Sequence, residues 1–320
     1  KLDDRSGAAI AAQRISRLEK LEAMQAINPE KLDVERKRNH AILLETFSRF
    51  EKMAEHDIGT MELYRASPYV ISPFHGAYLT LPEFFTSHHT INVLADAQDY
   101  LARLSEVSDV LDDETKRLED ASLKGNLPPR IVVEATLEKV KSFRTATPEL
   151  SPYSLALNNG VSKLGVSDSD LSASLSTQVH AIVSEQIHPA YDRLITALEN
   201  QLAYAPTSLG LENRSNGVPY YLDVLDFYGA KNTPKALHES GLAELGLITA
   251  NMDAVLASLE ITDGSVIDRL SALPIRALSA TDEDEETAEM ARPRRISALV
   301  RLMKDRSESI APPFQDDPGI

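Results

Sequence analysis

Residues 167–206, SDSDLSASLSTQVHAIVSEQIHPAYDRLITALENQLAYAP, hold the longest periodic pattern in the chain. Ser167–Asp168 form an N-cap pair, and Leu171, Leu175, Val179, Ile182, Val183 and Ile187 recur three or four apart on one face, the spacing of an amphipathic helix. Pro189 interrupts it, since proline lacks the N–H and crowds the preceding turn. The stripe resumes through Leu194, Ile195, Leu198 and Leu202 before Ala205–Pro206 closes it, which predicts one long helix kinked at the proline.

The same period extends outward in both directions. Toward the N-terminus, Ser6–Ile27 and the stretch from Pro29 to Gly59 predict an antiparallel helical hairpin, with Ile10, Ile15, Leu18, Leu21 and Met24 on its first stripe. Further helices are expected over 91–104, 112–123 and 131–143, with Gly125 ending one and Pro129 in the first turn of the next. Ser67–Pro82, punctuated by Pro68, Pro73, Gly76 and Pro82, reads as an aromatic, largely irregular connection. Toward the C-terminus, Thr233–Pro234 opens a helix reaching Leu259, Ser265–Leu273 gives a short one, and Asp282–Glu286 heads another that carries Arg292, Arg294 and Arg295. Glycine numbers only 13, and no fixed-period repeat or low-complexity linker appears. The expectation is an all-α protein, an irregular multi-helix array with long, partly kinked helices, over residues 1–320 as a single helical domain.

Composition narrows the function. In 320 residues, 33 Lys and Arg face 49 Asp and Glu, a formal charge of −16 that repels nucleic acid and anionic membrane surfaces. With no cysteine, there is no thiolate nucleophile, Cys-ligated zinc or iron–sulfur cluster. No apolar run reaches the roughly 18 residues of a membrane-spanning segment. The chain begins at Lys1 without Met and reads as trimmed, with any export signal lost.

The eight histidines do not assemble a metal motif. His238–Glu239 begins like a zincin helix, but the second ligand position is Leu242. His180 and His188 are about 12 Å apart along a straight helix, and adjacent His88 and His89 diverge by about 100°. No nucleophile elbow, phosphate loop or dinucleotide fingerprint is present. Carboxylate pairs such as Asp112–Asp113 are uninformative in so acidic a chain. The more interesting features are two aromatic clusters. Tyr220, Tyr221 and Tyr228 surround a proline-fixed helix entry and suit a cleft wall, with partly buried packing as the alternative. Phe74 and His75 lie in the irregular segment, either at a functional loop or anchoring it to the core.

Six stretches in succession, Leu2–Ser6, Asp96–Leu104, Gly125–Arg130, Pro189–Tyr191, Gly217–Tyr221 and Thr233–His238, resemble the family called bacterial domain of unknown function 885 along nearly the whole chain. The resemblance implies a largely helical protein, often an exported lipoprotein, periplasmic or at the cell surface, similar to zinc metallopeptidases of the gluzincin type. The metal motif of that family, a His-Glu-x-x-Pro-Gly-His-type helix, has no counterpart here: His238–Glu239 and Pro318–Gly319–Ile320 stand in the wrong order and lack the partner histidine. No catalytic, cofactor or metal residue therefore carries over. The expectation is the N-terminal helical part of a longer hydrolase, forming one side of a cleft over a zinc site borne by a C-terminal half of the same protein. Its substrate would be a peptide or other small amide or ester, contacted by Tyr220 and Tyr221. The rival expectation is a non-enzymatic helical binding or scaffold protein.

Overall fold

In the computed structural model the described residues are 1–272, apart from 63–64, 166–168, 212–213 and 215. Among the described residues the regular structure is helical except for one two-stranded antiparallel hairpin, so the all-α expectation holds with a small addition. The Ser167–Asp168 cap and the acidic-headed helix from Asp282 lie outside the described residues. The chain divides into two compact units, Lys1–Pro234 and a second beginning at Lys235.

In the first unit, α1 (Gly7–Gln25) and α2 (Val34–Ala54) form the expected hairpin. Ser6 and Asp33 cap their N-termini by accepting from Ala9 N and Arg36 N. The contacts run in reverse order, His40 to the Met24 carbonyl, Arg17 over the Phe50 ring and Arg14 to Glu51, which makes the pair antiparallel. Strands β1 (Thr60–Glu62) and β2 (Arg65–Ser67) follow.

The segment expected to be irregular turns helical from Ala77. Helix α3 (Ala77–Glu83) contains Pro82 and runs into a π-helical turn, Phe84–His88. Burial of Tyr78, Leu81 and Phe85 outweighs the proline, and the Thr86 hydroxyl donates to the Pro82 carbonyl. Helices α4 (Leu94–Leu104), α5 (Val107–Leu123) and α6 (Arg130–Thr145) sit where their stripes predict, with Pro129 as N-cap rather than inside the first turn. Helix α7 (Pro152–Lys163) was not expected; Ser151 caps it, and Tyr153, Leu157 and Val161 are buried at i, i+4 and i+8.

The long pattern becomes α8 (Ser169–Ile182), a π-helical turn over Val183–Ile187, and α9 (His188–Tyr204). Pro189 stands in the first turn of α9, just after the π turn, where the backbone N–H of His188 reaches back to Val183. Helix α9 packs on α5 and α6, and the core gathers Tyr78, Phe85, Tyr100, Tyr153 and Tyr191 with Leu104, Leu157 and Leu194. Helix α10 (Gly217–Phe227) packs on α2.

The second unit contains α11 (Pro234–Ser258) and α12 (Val266–Ala272), close to their expected bounds. Buried Arg269 joins them, donating to the Ile261 carbonyl at 3.1 Å and pairing with Asp253. Leu242, Leu245, Leu247, Ile248 and Val255 of α11 are exposed. Among the described residues, no helix is long and apolar enough to cross a membrane.

Candidate functional site

A cavity of about 870 Å³ opens in the first unit between the N-terminal segment with α1, the end of α2, the β-hairpin and the C-terminal half of α5. Its walls are charged, and their positions follow from the sequence of α5. The buried stripe of that helix runs Val107, Val110, Leu111, Glu114, Leu118, so a carboxylate occupies a position where the period calls for an apolar residue.

Glu114 is only 4% exposed, and both oxygens are used. Oε1 accepts from Arg5 Nη1 at 2.6 Å, and Oε2 accepts from the backbone N–H of Ala77 at 2.6 Å. Ala77 opens α3, so the carboxylate also meets the positive end of that helix. Arg5 donates further to Thr80 Oγ1 at 3.1 Å. One buried anion thus pins the N-terminal segment, α3 and α5 around the cavity.

The hairpin forms the next wall. Gly59 has φ +66, and a Cβ there would lie 2.0 Å from the Ser67 carbonyl oxygen, so only glycine allows the two chain segments to approach this closely. Arg117, one turn beyond Glu114, is half-buried, and burial lowers its pKa. Its Nη2 reaches the Gly59 carbonyl and Thr60 Oγ1, both at 3.4 Å. Across the hairpin, Arg214 lies over the Tyr69 ring at 4.9 Å, donates to the Tyr69 hydroxyl at 3.2 Å and reaches Asn126 Oδ1 at 3.4 Å.

Near the end of α2, His56 lines the cavity and is held from α10. Its Nε2 donates to Asp223 Oδ2 at 2.8 Å, leaving Nδ1 to accept from Asn216 Nδ2 at 2.8 Å. Lys52 pairs with the other Asp223 oxygen at 2.7 Å. Burial alone would raise the Asp223 pKa; hydrogen bonds from Lys52 and His56 outweigh it and hold the carboxyl below its ordinary value. The turn before α10 depends on Gly217, where a Cβ would sit 1.8 Å from the Leu211 carbonyl oxygen.

The five residues singled out from sequence fall in different places. His75 is buried on the cavity wall, where Nε2 donates to the Tyr69 carbonyl at 2.9 Å and Nδ1 accepts from Ser72 Oγ at 2.6 Å. Burial pushes its pKa down. Its neighbour Phe74 points outward, exposed, with Lys139 Nζ 5.6 Å from its ring centre. Tyr220 is 1% exposed and Tyr221 43%, so α10 turns one inward and the other toward solvent. The Tyr220 ring meets His56 edge-on at 5.5 Å, its hydroxyl has no hydrogen-bond partner among the described residues, and burial raises its pKa. Tyr228 is exposed, and its hydroxyl accepts from the Ala66 N–H at 3.3 Å. Of the five, His75 alone lines the cavity among the described residues, and Tyr220 reaches its edge through His56. Sequence reasoning did not single out Arg5, His56, Glu114, Arg117 or Arg214; the one available signal was the charge set into the apolar stripe of α5. Among the described residues, no three of His, Asp and Glu are placed to hold a metal ion.

Residues 1–312 match the model of the family described as Bacterial protein of unknown function (DUF885). The chain belongs to this family. A crystal structure of a protein from Colwellia psychrerythraea, provisionally described as a lipoprotein, is similar over 98% of this chain with a TM-score of 0.83 and 22% sequence identity. The chain spans 53% of that protein, about half its length. At that identity the likeness concerns the fold. No curated protein matches the sequence. The resemblance carried by the six short stretches therefore holds at the level of the family.

Proposed function

We propose that this chain is the helical, substrate-cleft-forming part of a longer exported hydrolase resembling zinc-dependent peptidases. The observation that carries the proposal is the cavity, which is large enough for a short peptide or comparable small molecule. Its charged walls are held rigidly, through buried Glu114 on one side and the His56–Asp223 pair on the other. Such walls can bind and orient an amide or ester substrate. The similarity to a protein nearly twice as long supports a reading in which a C-terminal half of the same protein supplies the rest of the site. That neighbour's description as a lipoprotein supports an exported or lipid-anchored, periplasmic or surface location. Zinc belongs to this proposal through the gluzincin resemblance alone. The described residues do not fit a zinc site, and they are assigned binding and orientation rather than any step at a metal.

The second reading, a non-enzymatic helical binding or scaffold protein, is favoured by the exposed apolar residues of α11. The full-length gene product distinguishes the two. Stoichiometric zinc together with hydrolysis of peptide, amide or ester substrates is expected. A full-length protein that is metal-free and inactive on all three classes would overturn the hydrolase proposal.

A further inference from the structure

We infer that the cavity wall carrying Arg117 and Arg214 binds the free carboxylate of a short peptide. The argument begins with charge pairing around the cavity. Arg5 is matched by Glu114, Arg14 by Glu51 at 2.5 Å, and Lys124 by Asp57 at 2.6 Å. Arg17, Arg117 and Arg214 are the exceptions, since none has a carboxylate within ion-pair distance among the described residues; Arg17 lies over the Phe50 ring, 4.6 Å from its centre, which leaves Arg117 and Arg214 as the two at the hairpin wall. The Arg117 hydrogen bonds are two long ones, both from Nη2, leaving Nε and Nη1 with no acceptor among the described residues. A partly desolvated guanidinium without a counter-ion is costly to hold, and an anion that completes it gains strong, charge-assisted hydrogen bonds.

The two arginines flank one structural unit. Arg117 touches Gly59, whose backbone lies against Ser67–Tyr69; the Pro68 carbonyl accepts from Asn126 Nδ2 at 3.5 Å, and Asn126 Oδ1 in turn faces Arg214. Both arginines line the same cavity.

The opposite charges in the cavity select the kind of anion. Asp3, Asp4 and Asp120 also line it, and the chain as a whole carries −16. A doubly charged phosphate would meet that field unfavourably. A zwitterion, with its carboxylate at the arginines and its amine toward Asp3 and Asp4, satisfies both. A peptide of a few residues has this chemistry and suits a volume of about 870 Å³. The inference rests on the hydrolase proposal for treating the bound peptide as substrate, naming the end that is held, but it concerns binding and requires no turnover.

The test is calorimetric titration of the protein with trialanine, trialanine amide and inorganic phosphate, with melting curves confirming that each variant is folded. Trialanine should bind, its amide about tenfold more weakly, and phosphate more weakly than trialanine. Arg117→Met and Arg214→Met should each weaken trialanine about tenfold without changing the affinity for the amide, whereas exposed Lys116→Met should change neither. If Arg117→Met does not fold, Arg117→Lys takes its place, with an intermediate loss expected because lysine keeps the charge but not the planar fork. Equal affinity for acid and amide, tighter binding of phosphate, no binding of trialanine, or unchanged affinity in the folded arginine variants would each overturn the inference. Trialanine binding alongside an inactive, metal-free full-length protein would leave it standing and remove the hydrolase proposal alone.

Discussion

Replacing Glu114 by alanine should loosen the first unit at three places at once, because one carboxylate serves Arg5, the first N–H of α3 and the buried face of α5. Removing one partner of a fully buried ion pair costs about 3–5 kcal/mol. The Arg5 side chain keeps 30% of its exposure and can partly rehydrate, so the lower end applies, about 3 kcal/mol. The buried Ala77 N–H, left without an acceptor, adds about 1 kcal/mol. For a unit the size of Lys1–Pro234 each kcal/mol moves the midpoint by about 2–4 °C, so the first unit of Glu114→Ala should melt about 8–16 °C below the parent. Glu114→Gln keeps one acceptor, for Ala77, but turns an NH2 donor toward Arg5 in place of the second oxygen, and should fall less far than Glu114→Ala. Arg5→Ala combined with Glu114→Ala should cost about 1–2 kcal/mol less than the sum of the single changes, because the two residues share the interaction. Calorimetric melting at neutral pH measures the parent and all four variants, Arg5→Ala alone included. A Glu114→Ala midpoint within about 2 °C of the parent, or strict additivity with Arg5→Ala, would refute the node.

Acid should destabilise the fold as the pH falls through the histidine range. Burial depresses the pKa of His75, His89 and His188 below 6.5, so the unfolded chain takes up protons first and stability, complete above about pH 6.5, declines as the pH falls below it. A midpoint that stays level or rises between pH 7.5 and 5.5 would contradict this, and His75→Gln should flatten part of the slope. Tyr220→Phe removes a buried hydroxyl that has no partner among the described residues and should leave stability unchanged or raise it by up to about 1 kcal/mol, whereas Tyr220→Ala should cost about 3–5 kcal/mol. A loss above 1 kcal/mol in Tyr220→Phe, measured by denaturant unfolding, would show that the hydroxyl is partnered. Gly59→Ala should destabilise by at least about 2 kcal/mol in the same assay, from the clash with the Ser67 carbonyl and the positive φ together; a neutral result would mean that the hairpin shifts freely.

Helix existence is legible because apolar residues recur at helical spacing, and Thr233–Pro234 marks one start; the second helix, expected from Pro29, begins only at Val34, behind the Asp33 cap. The misses have physical causes. Prolines 68, 73 and 82 signal a loop, yet α3 forms through Pro82 because Tyr78, Leu81 and Phe85 gain more from burial than the missing hydrogen bond costs. Helix α7 has only three buried apolar positions, Tyr153, Leu157 and Val161, and its Ser151–Pro152 start reads equally well as a turn. The cavity was harder to read. In a chain with 49 acidic residues a single glutamate carries no signal until its phase on α5 is considered, and Arg5 and Arg214 come from segments more than two hundred residues apart. The tyrosines drew attention as a pair, but adjacent residues on a helix point about 100° apart, and α10 divides them between interior and solvent.

The π-helical turn ahead of Pro189 also sets the phase of the chain's longest helical run. Leu175, Val179, Val183 and Ile187 are all buried and follow one another at four-residue steps. On a regular α-helix each such step drifts by about 40°, so three steps would carry the apolar line about 120° around the axis. One additional residue in a wider turn absorbs about 100° of that drift. Past the proline, Ala190, Tyr191, Leu194, Ala197 and Leu198 return to ordinary spacing against α5 and α6. The turn therefore works as a phase corrector: closing it to regular α-helix with every residue kept would rotate Tyr191 and Leu194 about 100° away from the core they close, whereas deleting one residue between Val183 and Ile187 would regularise the helix and leave both facing inward.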